Sequence, residues 1–285
     1  MGTGSRRCRG LSWAWVLLAG GLLASVGAAC GTDEDASQRI ARLTVFEPGP
    51  ESLSRGKNNI DFKTNGEALT ARTLIDPHDT VFDVGAYLGE WSRMVSDRQP
   101  TARIYAFEPA PDSFPKLEES VRNTQITPVK LALSDSAGVM TFRVYPQGEI
   151  LNSFYERKKL TEVGVKPALV EVATERLDAW CKGKGIGHID YLKIDTEGAE
   201  LLILRGAGEM LKGQSISLVQ FEYGGTYPDA GITLRQVFDL LTGYGYEIYR
   251  IMPDGLLHIP QWDDVLEDYA YANFLAAAKS GAGPH

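Results

Sequence analysis

Short apolar runs alternate with amphipathic segments along most of the chain. The apolar runs predict buried strands at 80–82, 103–107, 127–133, 191–194, 217–223, 246–251 and 273–278. The segments between them have apolar residues at helical spacing and predict helices at 67–75, 90–97, 113–123, 201–211 and 233–241. Two further alternating segments predict extended structure at 139–145 and 170–173. Strands that alternate with helices indicate an α/β fold with a doubly wound, mostly parallel sheet.

Four acidic residues stand where predicted strands end. They are Asp83, Glu108, Asp195 and Glu222. In a doubly wound sheet, ligands bind beside the carboxyl ends of the strands. We therefore expect these carboxylates to surround one ligand-binding crevice.

The segment TVFDVGAYLGEWS, residues 80–92, joins a strand end to a glycine-rich turn. Gly85 and Gly89 allow the backbone to approach a ligand closely, in the pattern Asp-x-Gly-x-x-x-Gly. A dinucleotide-binding fingerprint would need another glycine where this chain has Tyr87. The turn therefore suits a nucleoside without phosphates better than a nicotinamide dinucleotide, although an ordinary strand-to-helix connection would also fit this segment alone.

Glu108 lies 19 residues after Gly89, one helical crossover beyond the turn. A carboxylate at that place can accept hydrogen bonds from both vicinal hydroxyls of a ribose. Ser134 and Asp135 follow the third predicted strand, where contacts with an adenine edge are expected if that strand lies beside the cofactor. A plain turn explains the same two residues equally well.

The segment IDYLKIDTEGAE, residues 189–200, places three acids in one turn, namely Asp195, Glu197 and Glu200. Helix capping by Thr196 and Glu197 explains part of this pattern, but capping does not need three carboxylates. Their mutual repulsion makes one of them a candidate general base, or they bind a divalent ion together with Glu222. Because no second motif of metal ligands is visible, we predict a base and no metal.

Charge excludes one class of partner. The chain has 285 residues, of which 44% are hydrophobic and 23% charged, as in an ordinary globular domain. Its formal net charge is −8, and residues 1–30 contribute three arginines and no acids, which leaves −11 on the remainder. A body of that charge repels nucleic-acid phosphates, so we predict no nucleic-acid partner.

The N-terminal region differs from the rest of the chain. Residues 1–30 combine a basic head with an apolar run from Leu11 to Cys30, which predicts a secretory signal peptide or membrane anchor with Cys30 as a candidate for lipidation. Residues 31–65 are polar and irregular, and predict a linker and lead-in. This leaves 66–285 for the functional domain. The protein is therefore expected to associate with a membrane through its N-terminal segment, on a side that the sequence leaves open.

Five segments share a family resemblance. They are NGEALTARTLIDPHDTVFDVGAYLGEWS, YAFEPAPDSF, LALSD, NSF and LKIDTEGAELLILRGA. Together they resemble the FkbM family of S-adenosylmethionine-dependent methyltransferases. The resemblance implies a class I methyltransferase fold, which is Rossmann-like and has a sheet of about seven strands. It also implies that S-adenosyl-L-methionine is the cofactor and that a hydroxyl of a small molecule, sugar or lipid is methylated.

The resemblance also implies a role for individual residues. Those that would line the methionine and ribose are Asp83, Gly85, Ala86 and Gly89. Glu108 would hold the ribose hydroxyls, and Asp195 or Glu197 would act as the base beside the methyl donor. Asn152 and Ser153 would border the acceptor pocket. To these we add Glu222 and the pair Ser134 and Asp135, for the substrate and the adenine respectively.

The predicted export signal favours a rival of a different class. Three arginines before the apolar run predict that the body is exported, whereas the cofactor is expected in the cytosol. The alternative is an exported lipoprotein that keeps a methyltransferase-like fold without catalysis. Acids at every strand end favour the active enzyme.

Overall fold

The computed structural model describes residues 34–49, 52, 55, 57–146 and 151–279. The predicted signal or anchor at 1–30 lies outside the described residues. Among the helices within them, none has the length and apolar character needed to cross a membrane.

Strands and helices alternate as the sequence pattern predicts. In the described residues the strands are β1 (Val45–Phe46), β2 (Thr80–Val84), β3 (Arg103–Phe107), β4 (Ile126–Val129), β5 (Ala132–Ser134), β6 (Gly138–Val144), β7 (Ala168–Arg176), β8 (Ile189–Ile194), β9 (Ile216–Tyr223), β10 (Tyr246–Met252), β11 (Gly255–Ile259) and β12 (Ala272–Ala278). The helices are α1 (Ala36–Ile40), α2 (Glu67–Leu74), α3 (Glu90–Arg98), α4 (Phe114–Val121), α5 (Lys158–Glu162), α6 (Leu177–Lys184), α7 (Glu200–Gly206), α8 (Gly208–Lys212), α9 (Tyr227–Ala230) and α10 (Leu234–Gly243).

The large sheet has the order β1-β11-β10-β12-β9-β8-β2-β3-β4. Strands β4, β3, β2, β8 and β9 are parallel, whereas β12 and β10 run antiparallel to their neighbours. The chain leaves β2 toward β3 and later returns to β8 on the other side of β2, so a topological switch point lies between β2 and β8. The doubly wound, mostly parallel class I fold is confirmed.

Within the described residues the large sheet has nine strands rather than about seven. The two extra strands, β11 and β1, extend the β10 edge. Strand β11 forms a hairpin with β10 in which Met252 pairs with Gly255, and β1 then adds parallel to β11. With only two residues in β1, its alternation is too short to distinguish from a loop in the sequence.

Two clusters of buried apolar side chains cover opposite faces of the large sheet. Phe82 and Leu192 belong to one cluster, and their chain neighbours Val81 and Tyr191 belong to the other. Successive side chains on a strand point to opposite faces, so each of these strands is buried on both sides. This explains why they read as continuous apolar runs.

The third predicted strand, 127–133, is divided between two sheets. The backbone turns between Val129 and Leu131, where the Leu131 N–H donates to the Val129 carbonyl at 3.0 Å. Strand β4 therefore ends the large sheet, and β5 joins β7 and β6 in a separate three-stranded sheet. The helix predicted at 201–211 is likewise divided into α7 and α8.

The predicted linker at 31–65 contains part of the domain. Arg39 of α1 is buried, donates to the Leu74 carbonyl at 3.1 Å and forms an ion pair of 2.5 Å with Asp79. Strand β1 extends the sheet, and the compact unit begins at Glu34. The described part of the predicted linker thus packs with the domain predicted to begin at residue 66, through buried anchors that its polar composition does not indicate.

Candidate active site

A cavity of about 400 Å³ opens at the carboxyl ends of β2, β3, β8 and β9 and extends beneath the small sheet. The predicted site residues that line it are Gly85, Glu108, Asn152, Asp195, Glu197 and Glu222. Those that do not line it are Asp83, Ala86, Gly89, Ser134, Asp135 and Ser153. The strand-end acids thus converge, with Asp83 as the exception.

Glu108 is held with both carboxylate oxygens in fixed positions. Its Oε2 accepts a hydrogen bond from the Tyr87 N–H at 3.0 Å, and its Oε1 accepts one from the Ala110 N–H at 2.8 Å. A carboxylate has about four acceptor positions, so two remain for a ligand. Burial raises the pKa of Glu108 to about 7, although the two backbone donors oppose that rise.

We expect the pKa of Glu108 to make cofactor affinity depend on pH. Hydroxyl donors bind the carboxylate better than the neutral acid, so affinity should be fully present above the pKa of the free protein and decline as pH falls through it. The dissociation constant should increase about tenfold from about pH 8 to about pH 6. Calorimetric titration with S-adenosylmethionine measures this change.

The matched control is Glu108→Gln, which cannot ionise. Its affinity should be weaker at high pH by roughly 1.5 to 3 kcal/mol, as expected for a lost hydrogen bond to a charged group. The ratio between the two proteins' affinities removes any titration of the cofactor itself. A ratio that stays constant with pH would show that Glu108 does not accept hydrogen bonds from the ribose hydroxyls.

The two glycines of the first turn serve different contacts. Gly85 has φ +84°, and a Cβ there would lie 1.8 Å from the Asp195 carbonyl oxygen. Gly89 has φ +77°, and its Cβ would lie 2.7 Å from Leu117 Cδ1. Gly85 lines the cavity and leaves room for the backbone of the segment 189–200, whereas Gly89 leaves room for helix α4. Gly89 and the buried Ala86, which were predicted to line the cofactor, face protein and do not line the cavity.

Asp83 lies beneath the cavity rather than in its wall. It is fully buried, and its Oδ2 accepts from Ser92 Oγ at 2.7 Å. In the parallel register it faces Lys193, whose Nζ lies 3.4 Å from Asp83 Oδ1 and 3.0 Å from Asp195 Oδ2. Asp83 therefore neutralises a buried lysine.

Lys193 was not among the predicted site residues. A lysine inside an apolar strand nevertheless indicates a buried ammonium that is paired with a carboxylate. Burial alone would lower its pKa, but the carboxylates of Asp195, Asp83 and Glu67 outweigh burial and raise it. Lys193 thus remains an ammonium and fixes the position of Asp195.

Ser134 and Asp135 are displaced from the cavity by the break in the third strand. Helix α7 packs directly on this segment, since a Cβ at Gly206 would lie 2.0 Å from the Ser134 carbonyl oxygen. The residues that line the cavity from this segment are Leu131, Ala132 and Leu133. They offer an apolar surface in place of the predicted polar edge.

Tyr87 adopts a left-handed backbone conformation, with φ +51°. Asparagine enters this region more readily than other residues with a side chain. Tyr87 is therefore an unusual residue for this conformation, and it forms part of the cavity wall.

Asp195, Glu197 and Glu222 form a carboxylate cluster in the cavity, with one oxygen from each within 4.8 Å of the other two. Asp195 contacts Lys193, and Glu197 Oε2 pairs with the buried Arg157 at 2.6 Å. Glu222 Oε2 is buried and has no hydrogen-bond partner among the described residues.

The three acids of the cluster differ in the direction in which their pKa values are shifted. Burial opposes ionisation of Asp195, but the Lys193 ammonium outweighs it and lowers the pKa of that carboxyl. Burial raises the pKa of Glu222 well above its usual value, and the charges of Glu197 and Asp195 raise it further. Burial also raises the pKa of Glu197, which Arg157 only partly offsets.

Glu200 does not join this cluster. Its carboxylate turns back and accepts hydrogen bonds from the Thr196 N–H and hydroxyl, both at 2.9 Å, and from the Gly198 N–H at 3.0 Å. Capping therefore accounts for Glu200, one of the three acids in the segment 189–200. The third carboxylate of the cluster is Glu222 of β9 instead.

Asn152 and Ser153 have separate tasks. The Asn152 Oδ1 accepts a hydrogen bond from the Tyr145 N–H at 2.9 Å. Asn152 lines the cavity, and its buried Nδ2 has no hydrogen-bond partner among the described residues. Ser153 Oγ donates to the Glu197 carbonyl at 2.8 Å and does not line the cavity. Ser153 therefore supports the turn that holds Glu197, which has φ +59°.

The sequence matches a known family. The model of the methyltransferase FkbM domain matches residues 83–248, more than half of the chain. The chain belongs to the FkbM methyltransferase family. It is an S-adenosylmethionine-dependent methyltransferase, and this confirms the resemblance seen in the sequence.

Curated relatives agree with this assignment. The chain is 32% identical over 197 residues to the methyltransferase sdnD of Sordaria araneosa, covering 60% of this chain and 74% of that protein. It is 31% identical over 197 residues, with the same coverage, to the 31-O-demethyl-FK506 methyltransferase FkbM of Streptomyces tacrolimicus. The 2-O-methyltransferase NoeI of Sinorhizobium fredii is 25% identical over 193 residues, covering 64% of this chain and 78% of NoeI.

The cavity of this FkbM-family chain suits its cofactor. Its volume lies within the usual range of small-molecule sites. Glu108 keeps acceptor positions for the two ribose hydroxyls, and Phe107 and Leu131 supply apolar surface for the adenine ring. The carboxylate cluster suits the positively charged sulfur. When bound, S-adenosylmethionine supplies a methyl group that is already activated for transfer.

Proposed function

We propose that this methyltransferase acts on a hydroxyl oxygen of a small molecule, sugar or lipid. The observation that supports this most is the convergence of Asp195, Glu197 and Glu222 on one cavity. A hydroxyl must lose its proton as its oxygen is methylated, and carboxylates in the cavity can receive it. The relatives named as O-methyltransferases support the same choice of atom.

The residues around the cluster align the acceptor. Asn152 Nδ2 is free to donate a hydrogen bond to an acceptor oxygen, and its orientation is fixed by Tyr145. Asp195 or Glu197 receives the proton, while Lys193 and Arg157 hold these two carboxylates in place. Phe142 of the small sheet and Phe154, whose ring packs against it, line the cavity and reduce the access of water. Alignment of the reacting atoms at about 3 to 3.5 Å is then the main task of the protein.

Membrane association through residues 1–30 belongs to this proposal. A reporter fused after His285 and active only outside the cytoplasm would support an exported body. Activity on the cytoplasmic side would place the catalytic domain with its cofactor.

Methyl transfer to a panel of acceptors tests the proposed function. The full chain is incubated with isotopically labelled S-adenosylmethionine and sugars, polyketide alcohols or glycolipids, and products are analysed by mass spectrometry and NMR. We expect a labelled methyl group on oxygen. A label found only on nitrogen or carbon would contradict the proposal.

A further inference from the structure

We propose that the carboxylate cluster of Asp195, Glu197 and Glu222 binds one divalent cation that prefers oxygen ligands, such as Mg²⁺ or Mn²⁺. The acceptor's oxygen would complete its coordination. This inference rests on the proposed O-methylation for its chemical role, while the site itself rests on the geometry of the three side chains.

The spacing of the three oxygens suits a single ion. Three points within 4.8 Å of one another share a centre no farther than about 2.8 Å (4.8/√3) from each. Oxygen ligands lie about 2.0 to 2.1 Å from Mg²⁺ and 2.3 to 2.6 Å from Ca²⁺. Side-chain shifts of no more than about 0.7 Å would therefore bring all three carboxylates to bonding distance from Mg²⁺.

Glu222 shows that the cluster lacks a partner. It is 7% exposed, and its Oε2 has no hydrogen-bond donor among the residues that the structure describes. A buried charged group without a partner costs several kcal/mol, so native proteins rarely keep one. Glu222 can form a hydrogen bond with Asp195 only while a proton lies between the two carboxylates, and a cation would take the place of that proton.

The neighbouring acids already have partners of their own. Glu108 and Glu200 accept from backbone N–H groups, and Glu67 accepts from Asn65, Gln220 and Asn273. Glu222 therefore differs from them within the described part of the chain, and the need for a ligand is specific to its position.

Charge points to a cation of more than one unit. Four carboxylates meet here, those of Asp83, Asp195, Glu197 and Glu222, while the contacts of the described residues supply two cations, Lys193 and Arg157. When all four carboxylates are ionised, as binding of a cation requires, the excess is two negative charges. A shared proton or a sulfonium would balance one of them, whereas a divalent ion balances both.

The site is open on one side. The side chains of Asp195 and Glu197 are 33% and 26% exposed, in contrast to Glu222. An ion can therefore enter from the cavity, and coordination positions remain for water or an acceptor oxygen. Such open positions distinguish catalytic metal sites from closed structural ones.

A cation here would select and activate the acceptor. Acceptors with two adjacent oxygens, such as vicinal diols of sugars, could bind it through both. Coordination weakens the O–H bond, and the proton leaves to a carboxylate and then to solvent. The oxygen forms the new bond to the methyl carbon, the carbon–sulfur bond breaks, and its electron pair remains on sulfur as a neutral thioether.

Mn²⁺ binding to the full chain, without cofactor or acceptor, tests the site. Protein treated with chelator and then freed of it is titrated with Mn²⁺ and followed by electron paramagnetic resonance. We expect one ion per chain with a dissociation constant below about 1 mM. Failure to bind one ion per chain at millimolar Mn²⁺ would overturn the inference, and a shared proton would then account for Glu222.

Three isosteric variants, two in the cluster and one outside it, serve as controls for each other. Glu222→Gln should weaken Mn²⁺ binding about tenfold or more, because it removes one of the three charged ligands. Glu108→Gln changes a cavity carboxylate outside the cluster, so it should weaken binding of S-adenosylmethionine and leave Mn²⁺ binding unchanged. Asp195→Asn should resemble Glu222→Gln toward Mn²⁺. Equal Mn²⁺ affinity in the wild type and in both cluster variants would overturn the inference.

The same preparations distinguish this inference from the proposed function. Loss of methyl transfer after chelation and its recovery with Mg²⁺ or Mn²⁺ would support both. Transfer to hydroxyls that continues undiminished after chelation would overturn the metal site and leave O-methylation standing. Stoichiometric Mn²⁺ binding with methylation only at nitrogen or carbon would support the site and overturn O-methylation.

Discussion

Asp195→Asn should lower the turnover number about 100-fold or more while changing the affinity for S-adenosylmethionine less than about threefold. The substitution keeps the size of the side chain but removes its charge from the carboxylate cluster. Asparagine can neither receive a proton nor bind a cation as a carboxylate does. Single-turnover kinetics and calorimetry measure the two quantities separately.

Asp83→Asn is the matched control, because Asp83 contacts the same lysine from beneath the cavity without lining it. Its effect on turnover should be smaller than that of Asp195→Asn. If both variants lost turnover equally, Asp195 would act only through Lys193. If Asp195→Asn lost cofactor affinity as much as turnover, Asp195 would be a binding residue.

Gly85→Ala should destabilise the fold by more than about 3 kcal/mol. The new Cβ would lie 1.8 Å from the Asp195 carbonyl oxygen, and φ +84° is itself unfavourable for alanine. The contact is with backbone at the junction of two central strands, so neither side can move without disturbing the sheet. Urea denaturation measures the change in the free energy of unfolding.

Gly185→Ala distinguishes the cost of the steric contact from the cost of the left-handed backbone. Gly185 has a similar left-handed backbone, with φ +68°, but a Cβ there would meet no atom within 4 Å. Its cost should be about 1 kcal/mol, which is the backbone term alone. If the two variants were equally destabilised, the close approach of Gly85 to the Asp195 backbone would contribute nothing to the cost.

The convergence of Glu108, Asp195 and Glu222 could be predicted because it follows from topology. Each acid ends a strand of the large sheet, and the ends of parallel strands meet at one edge. The same logic misplaced Asp83, because the periodicity of a strand does not state which of its two buried faces borders the cavity. Its partner Lys193 lies 110 residues away, and only the strand register brings them together.

Local turns were harder to predict than strands. Glu197 and Glu200 stand three residues apart, yet one faces the cavity and the other caps its own turn, a choice made by competing hydrogen bonds. The break after Val129 moved Ser134 and Asp135 out of the site, although the residues on both sides have similar strand character. Backbone competition of this kind leaves little signal in composition or spacing.

The cavity lies between two sheets, so a bound cofactor would fill space that otherwise interrupts the apolar interior. Phe107 of the large sheet and Phe142 of the small one would then touch the same molecule. Ligand binding and folding are thermodynamically linked in such an arrangement, with a gain that rises with the logarithm of ligand concentration. Starvation for methyl donor would therefore increase the unfolded fraction and expose the chain to proteases, so the abundance of the enzyme would follow the supply of its own reagent.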